Sequence, residues 1–304
     1  MSETNIVAVS ANELLLLMAS ISILGIIGGF IGEKLKIPDV VIYLLFGVAF
    51  GPIFFNIVNI DSYPVANELI LNFGSAFILY EGGREIKLKI LNKVKITVLM
   101  LASLGVFITA STIAVGAFYI LNLPISTSIL LGSIVASTDP ASLIPVFKQV
   151  SIHKMLKQTV ISESAFNDAF GAILFSSVLA GVTMTQETSL GQTVLQLVFM
   201  ILIGLIVGVV VALIGVALSS NKQYGIFHKY APIISLVIAI LAYEISEKLG
   251  GSGYMSVFIA GLVAGNKKTF HLWIDDEPYI EGVHFRECIA TISRMAIFIV
   301  LGTH

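Results

Sequence analysis

Charge is scarce in this 304-residue chain: 12% of its residues are Asp, Glu, Lys or Arg, while 57% are hydrophobic. Soluble domains carry about 25% charged and about 45–50% apolar residues. A water-soluble fold built from this composition could not cover its own surface. Charge of one sign is not in excess either, with 17 Lys+Arg against 19 Asp+Glu. That balance excludes nucleic-acid binding, which needs a basic face, and disorder, which needs high net charge and few apolar residues. The single cysteine, Cys288, allows neither an internal disulfide nor a cysteine metal cluster. The five histidines fall in loops or at ends without metal spacing, and no P-loop, Rossmann or heptad pattern occurs.

What the chain does have is long apolar runs. Ten of them, at about 14–31, 40–57, 66–83, 96–120, 126–147, 158–180, 190–218, 231–246, 253–265 and 287–302, predict an all-α polytopic membrane protein. The first twelve residues carry Glu3 and neither Lys nor Arg, so they lack the positive region of a signal peptide. The basic residues then test the parse. Alternate loops hold Lys34 and Lys36; Arg84, Lys87, Lys89, Lys93 and Lys95; Lys148, Lys154 and Lys157; Lys222 and Lys229; and Lys267, Lys268 and Arg286. Of the 17 basic residues only Lys248 falls in an opposite loop, and Arg294 lies inside the tenth run. By the positive-inside rule the rich loops are cytoplasmic and residues 1–13 are an external N-terminus. One helix more or fewer would destroy this asymmetry. The expected setting is the lipid bilayer of the cell (inner) membrane.

An internal repeat is visible. Residues 33–52, EKLKIPDVVIYLLFGVAFGP, match residues 247–266, EKLGGSGYMSVFIAGLVAGN, at an offset of 214 that aligns Gly47 with Gly261 and Gly51 with Gly265. The first copy of Glu-Lys-Leu lies in a cytoplasmic loop and the second in an outer one, so the second copy is inverted, as in many secondary transporters. Residues 14–180 are expected to form the first repeat, with helices 5 and 6 as its polar core. Residues 190–218 link the repeats and 231–304 begin the second. Adding the offset to residue 180 puts the end of the second repeat near 394, roughly ninety residues and about three helices beyond His304. A complete transporter of this kind is therefore expected to be longer than this chain.

Ionisable groups at bilayer depth cost roughly 2.5–3.5 kcal/mol on insertion scales and mark pathways. Among the carboxylates within the runs are Glu81, Asp139, Glu163 and Asp168. In the fifth run, Ser137-Thr138-Asp139-Pro140 interrupts the helix, because proline lacks the amide hydrogen and clashes with the preceding turn. Asp-Pro also reads as N-cap and first residue of a new helix. The expectation is a broken helix near 137–140 whose freed carbonyls face a cation while Asp139 covers exposed amides; a simple kink is the plainer reading.

In the sixth run, Ser162-Glu-Ser-Ala-Phe-Asn-Asp168 places Ser164 and Asp168 one turn apart on one face, with Glu163 and Asn167 in the next row. Asp168 paired with the Ser164 hydroxyl suits a hard cation, and the same carboxylate can carry a proton when the cation leaves. Competition of the two for one carboxylate suffices for exchange if the site opens to one side at a time. Glu81 reads either as support for the Glu163 region or as an interfacial charge beside Arg84. Arg294, a candidate charge partner inside the tenth run, has Glu163, Glu81 or Glu287 to pair with, or snorkels locally.

Three segments carry a family resemblance: Ser137-Thr-Asp-Pro-Ala-Ser-Leu-Ile-Pro145, Ser162-Glu-Ser-Ala-Phe-Asn-Asp168 and Leu79-Tyr-Glu-Gly-Gly83. The chain resembles prokaryotic sodium/proton antiporters of the monovalent cation–proton antiporter superfamily, in the branch with Asn-Asp before the ion site. The resemblance implies an inverted-repeat fold of about thirteen helices, a homodimer, an elevator-type movement and electroneutral exchange of Na+ for H+. It implies that Asp168 binds ion and proton, with Ser164 and Thr138, the latter through its backbone carbonyl, completing a Na+ site. Glu163, Asn167, Asp139 and Glu81 would form the core network. The family's second broken helix and core arginine follow a Phe-Ile-x-Leu-Gly pattern, here Phe298–Gly302 at the end of the chain, so Arg294 precedes the position of that arginine. The substrates would be monovalent cations and protons, with no cofactor. Potassium/proton exchange is one alternative and an inactive or regulatory product another. An intramembrane aspartyl protease using Asp139 and Asp168 is a third, for which the Tyr-Asp and Gly-x-Gly-Asp motifs are missing.

Overall fold

The computed structural model describes residues 3–60, 62–138, 152–183, 190–220, 226–270 and 276–304. The architecture is all-α: ten helical segments and no strand among the described residues. They are α1 (Glu3–Leu35), α2 (Asp39–Phe50), α3 (Pro64–Glu85), α4 (Leu88–Ile120), α5 (Ile125–Val135), α6 (Lys154–Thr183), α7 (Leu190–Leu218), α8 (Ala231–Lys248), α9 (Gly253–Gly265) and α10 (Asp276–Thr303). Each answers one of the ten apolar runs. Within α4 a single π-helical turn, Leu101–Gly105, joins two α-helical halves. α1 from Ala11, α4, and α7 from Val198 are long and apolar enough to cross a membrane by length and composition. They also expose large apolar side chains, among them Leu16, Phe30, Phe107 and Ile206, a surface suited to hydrocarbon and not to water.

Two helix ends depart from the expectation. α2 stops at Phe50, although the apolar run continues to 57. Pro52 has no amide hydrogen to continue the ladder, and the chain turns back instead: the Asn56 amide donates to the Gly51 carbonyl at 2.8 Å, and the Ile57 and Val58 amides both donate to Phe50 at 2.9 Å. α4, in turn, begins at Leu88, eight residues before the predicted start, because Leu88–Lys95 is helical despite its charge, with Lys87 as the extended N-cap. Its first amide is capped from another helix: Asn266 accepts from Leu88 N–H at 2.9 Å and donates to the Ile86 carbonyl at 2.7 Å.

The chain divides into two compact units, Met1–Ile78 with His284–His304, and Leu79–Val283. In the first, Leu17, Ile21 and Leu24 of α1 pack with Tyr43 of α2, with Val58 and Ile60, and with Ile299 and Val300 of α10. In the second, α9 is buried almost throughout and packs on α7, α8 and α6, while α6 packs on α4 and α5. Lipid tails are as apolar as leucine, so such contacts are held by close packing and not by water exclusion. The glycines matched by the 214-residue offset do that packing in each unit. A Cβ on Gly47 would collide with the Ile299 carbonyl and Gly302, and one on Gly51 would crowd Thr303. A Cβ on Gly261 would collide with the Tyr80 carbonyl, and one on Gly265 with that of Arg84. So α2 lies backbone to backbone on α10 in one unit, and α9 lies the same way on α3 in the other.

Candidate functional site

The site grows from the end of α5. Its last helical residue is Val135, with Ala136 as C-cap, and Ser137 and Thr138 are non-helical. The expected interruption therefore begins at this point, and Asp139 and Pro140 lie outside the described residues. A helix ending leaves its last carbonyls without amide partners and concentrates negative partial charge there. Across from this end runs α6, continuous from Lys154 to Thr183, which carries the Ser162–Asp168 segment. Two contacts fix α6: it packs on both halves of the α4 span, and Phe166 meets Phe258 of α9 edge-on with ring centroids 4.8 Å apart.

Ser164 and Asn167 are each only 1% exposed, and Glu163 and Asp168 are half-buried. The Ser164 hydroxyl donates to the Thr138 carbonyl at 2.6 Å. Asn167 is the tie between the two helices. Its amide nitrogen donates to Thr138 Oγ1 at 2.6 Å and to Glu163 Oε1 at 2.8 Å, and its oxygen accepts from the Thr138 amide at 3.4 Å and lies 3.0 Å from the Ser137 hydroxyl oxygen. The Ser137 hydroxyl lies 2.5 Å from Asp168 Oδ1, to which it donates. Five residues expected at the site, Thr138, Glu163, Ser164, Asn167 and Asp168, are thus brought into one hydrogen-bonded cluster.

Two expectations are corrected. Asp168 was expected to pair with Ser164; in the structure Ser164 turns to the Thr138 carbonyl and Ser137 takes its place at Asp168. The physical reason is the helix break: it frees a carbonyl that needs a donor, and a neighbouring hydroxyl satisfies it. Ser137 is the site residue that the sequence reading passed over. Its signal was present, since it is a hydroxyl on the non-helical side of the Asp-Pro break.

Arg294 pairs with none of the three glutamates considered for it. Its Nη1 lies 4.0 Å from Asp39 Oδ2, in the first turn of α2. Pro38 is the N-cap of α2, which places the Asp39 carboxylate on the first turn of the helix. Glu81 pairs with Arg84 one turn along α3, Nε to Oε2 at 3.5 Å, and the Arg84 Nη1 donates to the Tyr80 hydroxyl at 3.3 Å.

Chemically, the cluster offers a carbonyl, hydroxyls and carboxylates with no thiolate or imidazole among them, a hard oxygen donor set. It adjoins the negative end of α5 and holds a carboxylate able to carry either a cation or a proton.

Comparison with known proteins bears on the family. The chain is 33% identical over 289 residues to Na(+)/H(+) antiporter 1 of Methanocaldococcus jannaschii, covering 92% of this chain and 66% of that protein. It is 28% identical over 301 residues to the K(+)/H(+) antiporter NhaP2 of Shewanella oneidensis, covering 96% of this chain and 50% of that protein. The chain thus spans between half and two thirds of the length of these relatives. The structure of the sodium proton antiporter MjNhaP1 from Methanocaldococcus jannaschii at pH 8 superposes with a TM-score of 0.79 at 30% identity, over 96% of this chain and 71% of that one. The sequence model described as "Sodium/hydrogen exchanger, transmembrane" matches residues 18–304. With apolar helices among its ten described helical segments and its match over nearly the whole length, the chain is a multi-pass membrane protein that belongs to the sodium/hydrogen exchanger family.

Proposed function

We propose that this chain supplies the ion-binding half of a secondary transporter that exchanges Na+ for H+, one for one, at Asp168. The observation that carries the reading is the meeting of Thr138 and Ser164 (2.6 Å) and of Ser137 and Asp168 (2.5 Å) where α5 ends. Sodium would take the Thr138 carbonyl, the Ser164 hydroxyl and an Asp168 oxygen, displacing the hydrogen bonds that now occupy them. When sodium leaves, a proton on Asp168 restores neutrality. The same carboxylate cannot hold both, so each passage of sodium one way returns one proton the other way. Glu163 and Asn167 keep the α5 end seated on α6 while this occurs, and Asp139 adds an acidic side chain next to Thr138 in sequence.

The reading includes a homodimer in the cell inner membrane with the N-terminus outside, the orientation supported by the basic loops. Substrates are ions, and the chemistry calls for no cofactor. Potassium is the second reading, favoured by the name of the Shewanella relative: carbonyl, hydroxyl and carboxylate oxygens do not by themselves select an ion by size. The test is cation-driven proton movement in proteoliposomes, with Na+ and K+ applied separately. Sodium is expected to drive alkalinisation or acidification according to its gradient, and Asp168→Asn is expected to reduce it to the level of protein-free vesicles. Undiminished exchange in Asp168→Asn overturns the site.

A further inference from the structure

Away from this cluster, a cavity of ≈ 440 Å³ lies beside the first two turns of α4, lined by Leu88, Lys89, Leu91, Asn92, Lys95 and Thr269. Two lysines, an asparagine and a threonine line it beside Leu88 and Leu91, and most of the lining surface is apolar. Among the described residues neither Lys89 nor Lys95 has an acidic partner. Nor does the segment provide one: residues 86–120 hold Lys87, Lys89, Lys93 and Lys95 and no Asp or Glu. The walls belong to two elements, α4 and the 3-10 turn Lys267–Phe270, which Asn266 already ties to the α4 start.

The depth of this cavity follows from helix length. α4 has 33 residues, which at about 1.5 Å each span ~50 Å, against a hydrocarbon core of about 30 Å. Its far end stays apolar and exposed through Phe118, Tyr119 and Ile120. The lysine-bearing end is therefore the one that leaves the hydrocarbon, and a tilt within the usual range for membrane helices lets the stretch from Ile96 to Ile120 span the core. Below the cavity the same face turns apolar. Ile96 is 70% exposed and Leu99 is 54% exposed, and they follow Asn92 and Lys95 by one turn each, on the same rows.

We propose that this cavity seats the phosphate headgroup of an anionic phospholipid, with Lys89 and Lys95 on the phosphate and an acyl chain along Ile96 and Leu99. A free phosphate would match the lysines and leave the apolar track without a role. Each basic residue near the surface adds attraction for anionic lipid. A lipid bound here bridges α4 and the Lys267–Phe270 turn. The inference rests on the membrane reading and is independent of the ion that the transporter carries.

Native mass spectrometry of the purified chain in detergent, titrated with phosphatidylglycerol or phosphatidylcholine, tests it. One phosphatidylglycerol is expected to be retained, in preference to phosphatidylcholine by about 5- to 30-fold. The double variant Lys89→Gln/Lys95→Gln is expected to lose that preference, and Lys93→Gln, off the cavity, to keep most of it. Equal retention of the two lipids by the unaltered chain overturns the proposal. So does an equal loss in Lys93→Gln, which would point to general surface charge. Displacement of the lipid by inorganic phosphate at equal concentration would assign the cavity to the free anion and likewise overturn it. Should the double variant fail to fold, Asn92→Trp fills the cavity with both lysines in place. Loss of the bound lipid is expected, and its retention overturns the site.

Discussion

The carboxylates on these helices fall into two groups, and their partners differ in kind. Glu81 on α3 and Asp39 on α2 each face an arginine, Arg84 at 3.5 Å and Arg294 at 4.0 Å. Glu163 and Asp168 on α6 are held by an amide and a hydroxyl, from Asn167 and Ser137. An arginine cannot be deprotonated in a protein, so the positive charge beside Glu81 and Asp39 is permanent. A hydroxyl or amide supplies a hydrogen bond without supplying charge. Under the proposed function it is the α6 pair, and not the pair facing arginines, that takes a cation or a proton.

Neutralising one carboxylate from each group breaks this comparison most sharply. In the proteoliposome assay Asp168→Asn is expected to show no exchange above protein-free vesicles, and Glu81→Gln to keep most of the activity. If Glu81→Gln is as inactive as Asp168→Asn, the division into two groups fails. A large but structural effect is expected from Arg84→Gln. Arg84 and Glu81 have side chains only 11% and 20% exposed, and removing one member of a buried pair costs about 3 kcal/mol or more because the other charge is left alone. Thermal unfolding in detergent is expected to show that loss, and Arg84→Gln/Glu81→Gln to recover most of it. No recovery in the double variant would mean that the pair is not the source.

Smaller effects lie at the neutral partners and the exposed pair. Ser137→Ala removes one hydrogen bond worth about 1 kcal/mol and is expected to change the apparent sodium affinity about fivefold, leaving the maximal rate nearly as it was. A collapse of the maximal rate would make Ser137 part of the exchange step itself. The smallest effect is expected from Arg294→Gln. Its pair with Asp39 is long, with side chains 41% and 35% exposed, and pairs of this kind contribute about 1 kcal/mol or less. A loss of several kcal/mol in the same unfolding measurement would move Arg294 into the buried class.

How much of this was legible can be judged residue by residue. The bounds of α7 and α9 coincide with their apolar runs, because a helix in lipid must satisfy its backbone internally and ends where the apolar run ends. α2 was drawn too long because apolar residues continue past the Gly51-Pro52 turn, and hydropathy does not register a missing amide hydrogen. The α6 cluster was readable because a polar residue at membrane depth is conspicuous. The partner of Asp168 was not, since Ser137 and Ser164 are both hydroxyls within reach and only the free carbonyl of Thr138 decides between them. Arg294 was visible as a charge in an apolar run, yet its partner lies some 250 positions away in the chain.

By itself, then, the sequence determined the membrane class, the ten helical segments found among the described residues, and the stretch of α5 and α6 where polar groups gather. Each of these is local or statistical: it depends on composition and on period. Tertiary structure alone decided which donor meets which acceptor, that Gly261 lets α9 lie against the Tyr80 backbone, and that Asp39 faces Arg294. Those pairings depend on distances of a few tenths of an ångström between elements far apart in the chain, and such distances are set only when the helices pack.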